Sequence, residues 1–409
     1  MYLPDCDADD LVKRIATLLD AHGLTAWLVL TREASRDPVA AHLGAGHAVA
    51  RTACVFGRVD GQMRRVAVAA SYDVAPLQAC GLYDTVVGYK QEGLRPHLAA
   101  WLRRLDVGAV GINESRDVPL ADGLSAGMRS YLHQLCDPEL AGRLATAERL
   151  VIDLLSHRSA ADLRTIEAAV LRTQAVARQV LAGGAIVVGR STEREVAEAL
   201  RAAVVAGGDH LEFVSVNVGA SRGHGGPTDR PLNVGDLLRV DFGIKHRGFC
   251  SDLQRTIYLT APGFARPPAE IARMWAVNRA AFAAALQAIR PGATGCEVDA
   301  AARAVVTAAG YPSYPHATGH ALGREVHDIG PILGPDWPER YGMTVHLPLR
   351  AGQVLAVEPA VYGPDPRSAE LLHIAVEHDV VVTEDGCRLL GEDQPEIWVV
   401  GADPAPARP

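Results

Sequence analysis

The chain lacks several features, and each absence narrows the field. No apolar run approaches the roughly 20 residues a membrane span needs. No Lys/Arg run is present, and the formal net charge is -8, which argues against a nucleic-acid groove. The seven cysteines are scattered and odd in number, with no Cys-x-x-Cys, so neither a disulfide frame nor a thiol-redox motif is indicated. They read as reduced thiols of a cytoplasmic protein. Aromatic residues make up only 5%. The first ten residues are acidic and lack the basic n-region of a secretory leader. What remains is an ordinary globular composition, 48% hydrophobic and 22% charged, in 409 residues, enough for two or three domains.

Periodicity divides the chain. Helical spacing over residues 8–20 ends at Gly23. Strand-like segments at 26–30, 65–69 and 109–112 and an amphipathic segment at 94–105 predict an α/β N-terminal domain over residues 1–157. A second domain is expected over 158–400, with a flexible tail at 401–409. It carries helical patterns at 161–181, 191–206, 267–288 and 296–309. Strand patterns fall at 213–218, 354–362 and 371–383, with a hairpin near 237–258. The order helix, helix, strand, hairpin, helix, helix, strand, strand suggests two similar halves facing each other.

Within that second domain, polar residues stand where a core should be apolar. Asp241 and Asp252 flank the polar turn Lys245-His-Arg-Gly248. If the turn centres on His246 and Arg247, the two aspartates are directly opposed, with Cβ atoms about 5 Å apart. Two carboxylates so placed repel unless a cation or proton lies between them. Glu358 and Glu377 each interrupt an otherwise apolar strand pattern, and His316, His320 and His327 sit in one Gly-containing loop. Each feature alone has an ordinary reading as a solvated face or a hydrogen-bonded loop residue. Together, four carboxylates and one imidazole on β elements make an oxygen-rich site with charge enough for two divalent cations, a donor set suited to Mn, Co, Zn or Fe.

The motifs Val240-Asp-Phe-Gly with Asp252 eleven residues on, His316-x-x-Gly-His320-x-x-Gly followed by His327-Asp328, Val357-Glu-Pro359 and Val376-Glu-His378 resemble, in order, those of the pita-bread metallopeptidases. That family includes Xaa-Pro dipeptidases (prolidases), aminopeptidase P and methionine aminopeptidases. The resemblance covers roughly residues 160–395. It implies an α+β pita-bread (creatinase/aminopeptidase-like) catalytic domain behind the α/β domain. It also implies two divalent ions, manganese foremost with cobalt or zinc as alternatives. Asp241, Asp252, His320, Glu358 and Glu377 would be their ligands, with Asp252 and Glu377 bridging. A metal-bridged hydroxide would attack the carbonyl before proline, a chemistry general to paired metal sites. Glu358 would act as general base and acid, and His224 and His327 would bind the oxyanion or leaving nitrogen. His316 with His224 would line the substrate side.

The N-terminal domain resembles those of prolidases, aminopeptidase P and creatinase, and the full ligand set separates the chain from creatinase. Many proline-specific members have an Arg two residues before the last Glu ligand, in Gly-x-Arg-x-Glu. Here His373-Ile-Ala-Val-Glu377 places Ala375 there. Arg367 or Arg350 could supply the missing cation for the substrate carboxylate. His346, His373 and His378 read as structural histidines, although His378 adjoins Glu377. Tyr362, Tyr311, Tyr314 and Phe213 could flank a proline ring. The expected activity is hydrolysis of Xaa-Pro dipeptides by a cytoplasmic homodimer with no nucleic-acid or membrane partner. The rival activities are aminopeptidase P action on longer Xaa-Pro peptides and a non-catalytic pita-bread binding module.

Overall fold

A computed structural model describes residues 8–33, 37–219, 225–261, 264, 266–365, 367 and 371–401. His224 and the tail beyond residue 401 lie outside them. The chain divides into two compact units, Met1–Leu155 and Ser156–Pro409.

The first unit is built on one six-stranded sheet. Its strands are β1 (Leu24–Thr31), β2 (Thr52–Val59), β3 (Gln62–Ala70), β4 (Thr85–Tyr89), β5 (Ala109–Ile112) and β6 (Leu144–Thr146), in the order β4-β3-β2-β1-β5-β6. β1 runs antiparallel to β2 and parallel to β5. The helix Ala8–Ala21 buries Leu11, Ile15 and Leu19, the one-face spacing that the sequence predicts. Gly23 follows it with φ 64°, a left-handed conformation glycine adopts without a Cβ penalty. This is the expected α/β layer.

The second unit contains two helix-and-sheet assemblies. In the first, helices Ala160–Ala177 and Glu193–Ala206 cover β7 (His210–Val218), β8 (Leu237–His246) and β10 (Leu253–Leu259), burying Val170, Leu200, Val216, Leu238, Val240 and Ile257 among other side chains. The short β9 (Phe249–Cys250) completes the hairpin with β8, and β17 (Trp398–Val400) adds to the far edge of β10. In the second, helices Ala269–Ala288 and Gly295–Ala308 pack on β12 (Val354–Val357), β13 (Ala360–Pro364), β14 (Leu371–Ala375) and β15 (His378–Val382). β11 (Gly319–Ala321) and β16 (Cys387–Leu389) flank the β12–β15 pair. Capping residues start the first two helices. Ser159 accepts from the Asp162 N–H at 3.1 Å, and Thr192 from the Glu195 N–H at 3.2 Å.

Three expectations need correction. The hairpin turn centres on Arg247 and Gly248, with φ of 49° and 82°, so Asp241 pairs with Gln254 rather than Asp252. Positive φ at both central residues is the type I′ geometry that matches strand twist. The shift is two residues, so Asp252 becomes a diagonal neighbour on the same face. The patterns at 354–362 and 371–383 are not single strands. Each breaks once, at Glu358-Pro359 and at Val376-Glu377. Pro359 has no N–H to give the ladder, and the Glu358 and Glu377 N–H groups turn elsewhere, donating to Thr318 O just before β11 (2.7 Å) and to Gln254 O on β10 (3.3 Å). Finally, the long helix at 161–181 ends regular α geometry at Ala177 and continues as a π turn over Arg178–Ala182.

Candidate metal centre

β8 has two chemically different faces. Leu238, Val240 and Phe242 enter the helix-covered core, while Arg239 and Asp241 project from the other side. Cross-strand partners share that second face. Ser215 and Asn217 on β7 oppose Asp241 and Arg239, and Gln254 and Thr256 on β10 oppose the same two residues. The result is a polar sheet face inside a protein core.

Asp252 lies where β9 gives way to β10. The ladder is broken there because Ser251 substitutes its hydroxyl for a backbone acceptor, taking the Ile244 N–H at 3.2 Å. The Asp252 N–H, which points away from β8, donates to Asp379 Oδ2 at 3.0 Å. This bond ties the hairpin to β15 and aims the Asp252 carboxylate.

His320 comes from β11. Its Nδ1 donates to Ala321 O at 3.2 Å, which leaves the Nε2 lone pair facing Asp252 Oδ2 (3.5 Å) and Glu358 Oε1 (4.0 Å). Ligand atoms of Asp252, His320 and Glu377 all lie within 4.8 Å of one another. Glu358 joins through His320, and Asp241 through its like-charge interaction with Asp252 and Glu358. All five residues singled out as ligands therefore contribute to one cluster.

The electrostatics show what the cluster requires. Burial, followed by the charges of Asp252 and Glu358, pushes Asp241 well above the usual carboxylate range. Burial and then Glu358 do the same to Asp252. Glu377 is raised by burial and by Asp252, Glu358, Asp241 and Asp379. Oδ1 of Asp241 and Oδ1 of Asp252 are buried without a hydrogen-bond partner. Orphaned carboxylate oxygens are costly unless a cation or proton satisfies them. The donor set, carboxylates with one imidazole nitrogen, suits divalent cations.

The surrounding residues hold this geometry. Asp328 fixes the loop after β11. It pairs with the buried Arg158 at 2.7 Å and accepts from the Arg324 N–H at 2.8 Å. A Cβ at Gly323 would meet Arg158 Nη2 at 1.9 Å and Asp328 Oδ2 at 2.3 Å, so only glycine fits there. The His327 ring stands edge-on to His320, with centroids 4.3 Å apart. His316 donates through Nδ1 to Ala317 O at 2.7 Å, and burial brings its pKa down to about 4. On the helix side of β10, Arg255 Nη1 donates to the carbonyls of both Gln254 and Glu377, each at 2.9 Å. Burial lowers Arg255 to about 10, so it keeps its charge at neutral pH. A cavity of about 300 Å³ opens on that same side, lined by Arg178, Arg255, Asp393 and Trp398 among other residues.

Other expected residues lie elsewhere. Arg367 pairs with Asp236 at 3.2 Å and Asp365 at 3.4 Å. His378 faces away from Glu377, as alternation requires, and contacts Asp393 at 3.0 Å and the Phe282 ring. Tyr311 donates to Glu270 at 2.8 Å, and Tyr314 shares a hydrogen bond with Thr318. Sequence reasoning missed Asp379, Arg239 and His373. Arg239 carried a signal, a charge inside the apolar run Leu237-Leu-Arg-Val. His373 carried another, a bulky residue at the Gly of the family's Gly-x-Arg-x-Glu pattern.

Comparison with known proteins bears on the whole arrangement. Residues 164–384 match the description Metallopeptidase family M24. An uncharacterized peptidase YqhT of Bacillus subtilis is 32% identical over 200 residues, 47% of this chain and 51% of that one. A probable dipeptidase PepE of Mycobacterium tuberculosis is 34% identical over 244 residues, 58% of each chain. The matches thus span about half the length of these curated relatives. Among solved structures, dipeptidase PepE of Mycobacterium ulcerans superimposes with a TM-score of 0.73 at 26% identity, covering 96% of this chain and 98% of that one. An Xaa-Pro dipeptidase of Bacillus anthracis shares the fold, with a TM-score of 0.71 at 21% identity over 96% and 100% of the two chains. The fold is the pita-bread fold behind an α/β unit, and the chain belongs to metallopeptidase family M24.

Proposed function

We propose that this protein hydrolyses the Xaa-Pro bond of dipeptides with two divalent cations held by Asp241, Asp252, His320, Glu358 and Glu377. The observation that carries the reading is the convergence of Asp252, His320 and Glu377 on one point, beside the unpartnered buried oxygens of Asp241 and Asp252. Divalent cations, when bound there, supply Lewis acidity and offset the carboxylate charge. Asp252 and Glu377, the two most buried of the set, suit bridging positions.

The Glu358 side chain is 24% exposed, against 12% for His320 and 5% for Asp252, which suits exchange of a proton with a water molecule. It takes the proton of the attacking water and returns it to the proline nitrogen. His327, standing against His320, and His224 donate hydrogen bonds to the oxyanion or the leaving nitrogen. His316 stays neutral near pH 7 and lines the substrate side. Proline justifies a dedicated site, because the Xaa-Pro bond is a tertiary amide with no N–H and a substantially populated cis form. Manganese as the working metal, a homodimer, a cytoplasmic location and a domain boundary at residues 157/158 belong to the same reading. Among the described residues no helix is long and apolar enough to cross a membrane.

The test compares hydrolysis of an Xaa-Pro dipeptide with that of an Xaa-Pro-Xaa tripeptide, with and without added Mn. Manganese-dependent cleavage of the dipeptide is expected. Preferential cleavage of the tripeptide replaces the reading with aminopeptidase P activity, and inertness toward both at full metal loading removes the peptidase reading.

A further inference from the structure

Residues 311–318 form neither helix nor strand, yet they lead directly into β11, and Tyr314 and Thr318 are buried among them. Buried carbonyls outside regular structure need donors from elsewhere. Every carbonyl from 314 to 318 has one. Tyr314 O and His316 O accept from Arg303 at 2.6 and 2.9 Å, and Pro315 O accepts from Arg340 at 2.7 Å. Ala317 O accepts from His316 Nδ1 and Thr318 O from the Glu358 N–H, both at 2.7 Å.

Arg303 lies on the helix Gly295–Ala308, one turn after Asp299. All five of its N–H groups are engaged. Nε and Nη2 donate to the two oxygens of Asp299 at 2.8 and 2.7 Å. Nη1 reaches Ser313 Oγ and Tyr314 O, and the second Nη2 hydrogen goes to His316 O. The guanidinium also stands over the Tyr314 ring, 4.0 Å from its centroid. Asp299 is 1% exposed and accepts a third bond, from Thr318 Oγ1 at 2.8 Å. Because that hydroxyl gives its proton to Asp299, the Tyr314 O–H donates back to Thr318 Oγ1.

Stability does not explain such a pair. Burying two charges costs desolvation that their attraction barely repays, and well-packed apolar residues of similar volume are often at least as stable. Apolar residues cannot hold two carbonyls and two hydroxyls in fixed directions, whereas a planar guanidinium fork and a carboxylate can. The groups so held belong to the metal centre. His316 lies inside the held segment, and His320 follows Thr318 by two residues on β11. The Thr318 carbonyl takes the Glu358 N–H at the point where the strand pairing breaks.

We infer that Asp299 and Arg303 are positioning residues for the metal centre, fixing residues 313–318 so that His316, His320 and Glu358 keep their places. The role rests on the ligand assignment proposed above. Its readout is metal affinity, measured by competition of the Mn-loaded protein with a chelator. Thr318→Val keeps the shape and removes the bond to Asp299. It should weaken Mn binding about 10- to 100-fold, as loss of a ligand-orienting partner typically does. Thr318→Ser restores the hydroxyl and should return affinity to within a few-fold of wild type. Arg303→Lys keeps the charge without the fork and should weaken binding as Thr318→Val does. Val306→Ala, on the same helix, removes buried methyl groups and none of these hydrogen bonds. Its melting temperature should fall while its Mn affinity stays at the wild-type value. Wild-type affinity in Thr318→Val or Arg303→Lys, or an equal loss of affinity in Val306→Ala, overturns the inference. His320→Ala separates the two levels. If it binds Mn as wild type does, the ligand assignment fails and the inference with it. If it binds Mn weakly while Thr318→Val does not, only the inference fails.

Discussion

Glu358 faces Glu377 across a gap in an otherwise continuous strand pairing. Val357 pairs with His378 on one side of the gap, and Ala360 with Ala375 on the other. Two residues intervene on each chain, so the register is unbroken and the two glutamates are the opposed pair within it. Direct opposition of like charges destabilises a sheet. Here the ladder opens at that point, and both backbone N–H groups bond elsewhere. The opening gives each carboxylate freedom to turn toward Asp252 and His320.

Glu358 is expected to matter for chemistry more than for metal retention. Glu358→Gln keeps a donor oxygen and loses the base. Turnover should fall about 10²- to 10⁴-fold, the usual weight of a general base, while metal content by plasma mass spectrometry stays near wild type. Turnover within about tenfold of wild type would take the proton-transfer role away from Glu358.

Asp379 should act through Asp252. It is fully buried, and burial raises it well above the usual carboxylate range. Asparagine preserves its shape and its acceptor for the Asp252 N–H. Asp379→Ala is expected to weaken metal binding by about 10- to 100-fold, as loss of a ligand-orienting partner typically does. Asp379→Asn should stay within a few-fold of wild type. Equal losses in the two variants, read by metal titration, would show that the carboxylate itself rather than the hydrogen-bond acceptor is what Asp379 provides.

The metal-free protein should have an unusual pH dependence. Asp241, Asp252 and Glu377 have raised pKa values in the folded state. Above about pH 4 the native state therefore holds more protons than the unfolded chain, and stability falls as pH rises toward the folded values. His316, lowered to about 4 by burial, has the opposite sign. Its cost is felt below about pH 6.5 and vanishes above it. Comparison with Asp241→Asn cancels the histidine contribution. Chelated wild type should lose melting temperature relative to that variant between pH 5 and 8, and saturating Mn should reverse the order. Parallel melting curves across that range would contradict the electrostatic account of the cluster.

Much of this was legible in the sequence, for a chemical reason. Carboxylates interrupting apolar strand patterns at 241, 252, 358 and 377 advertise themselves, because burying them costs free energy that only a specific partner offsets. The helices at 160–177, 193–206, 269–288 and 295–308 followed, to within a few residues at their ends, from 3.6-residue periodicity. Less was legible where two chain segments meet. Asp379 reads as one more residue of a valine-rich strand until β15 is set against the break before β10. His373 reads as structural until β13 and β14 stack it on Tyr362 and bring Arg239 against it.

The sequence by itself determined which residue types are available and on which face of each strand they fall, since alternation is a local property of the backbone. It did not determine register. A type I′ turn at Arg247-Gly248 and a paired break at Glu358 and Glu377 depend on which neighbour accepts each N–H, and that is settled only when all the strands are present. Tertiary structure therefore decided that Asp241 pairs with Gln254, that Asp379 aims Asp252, and that a buried arginine lies beside the metal ligands.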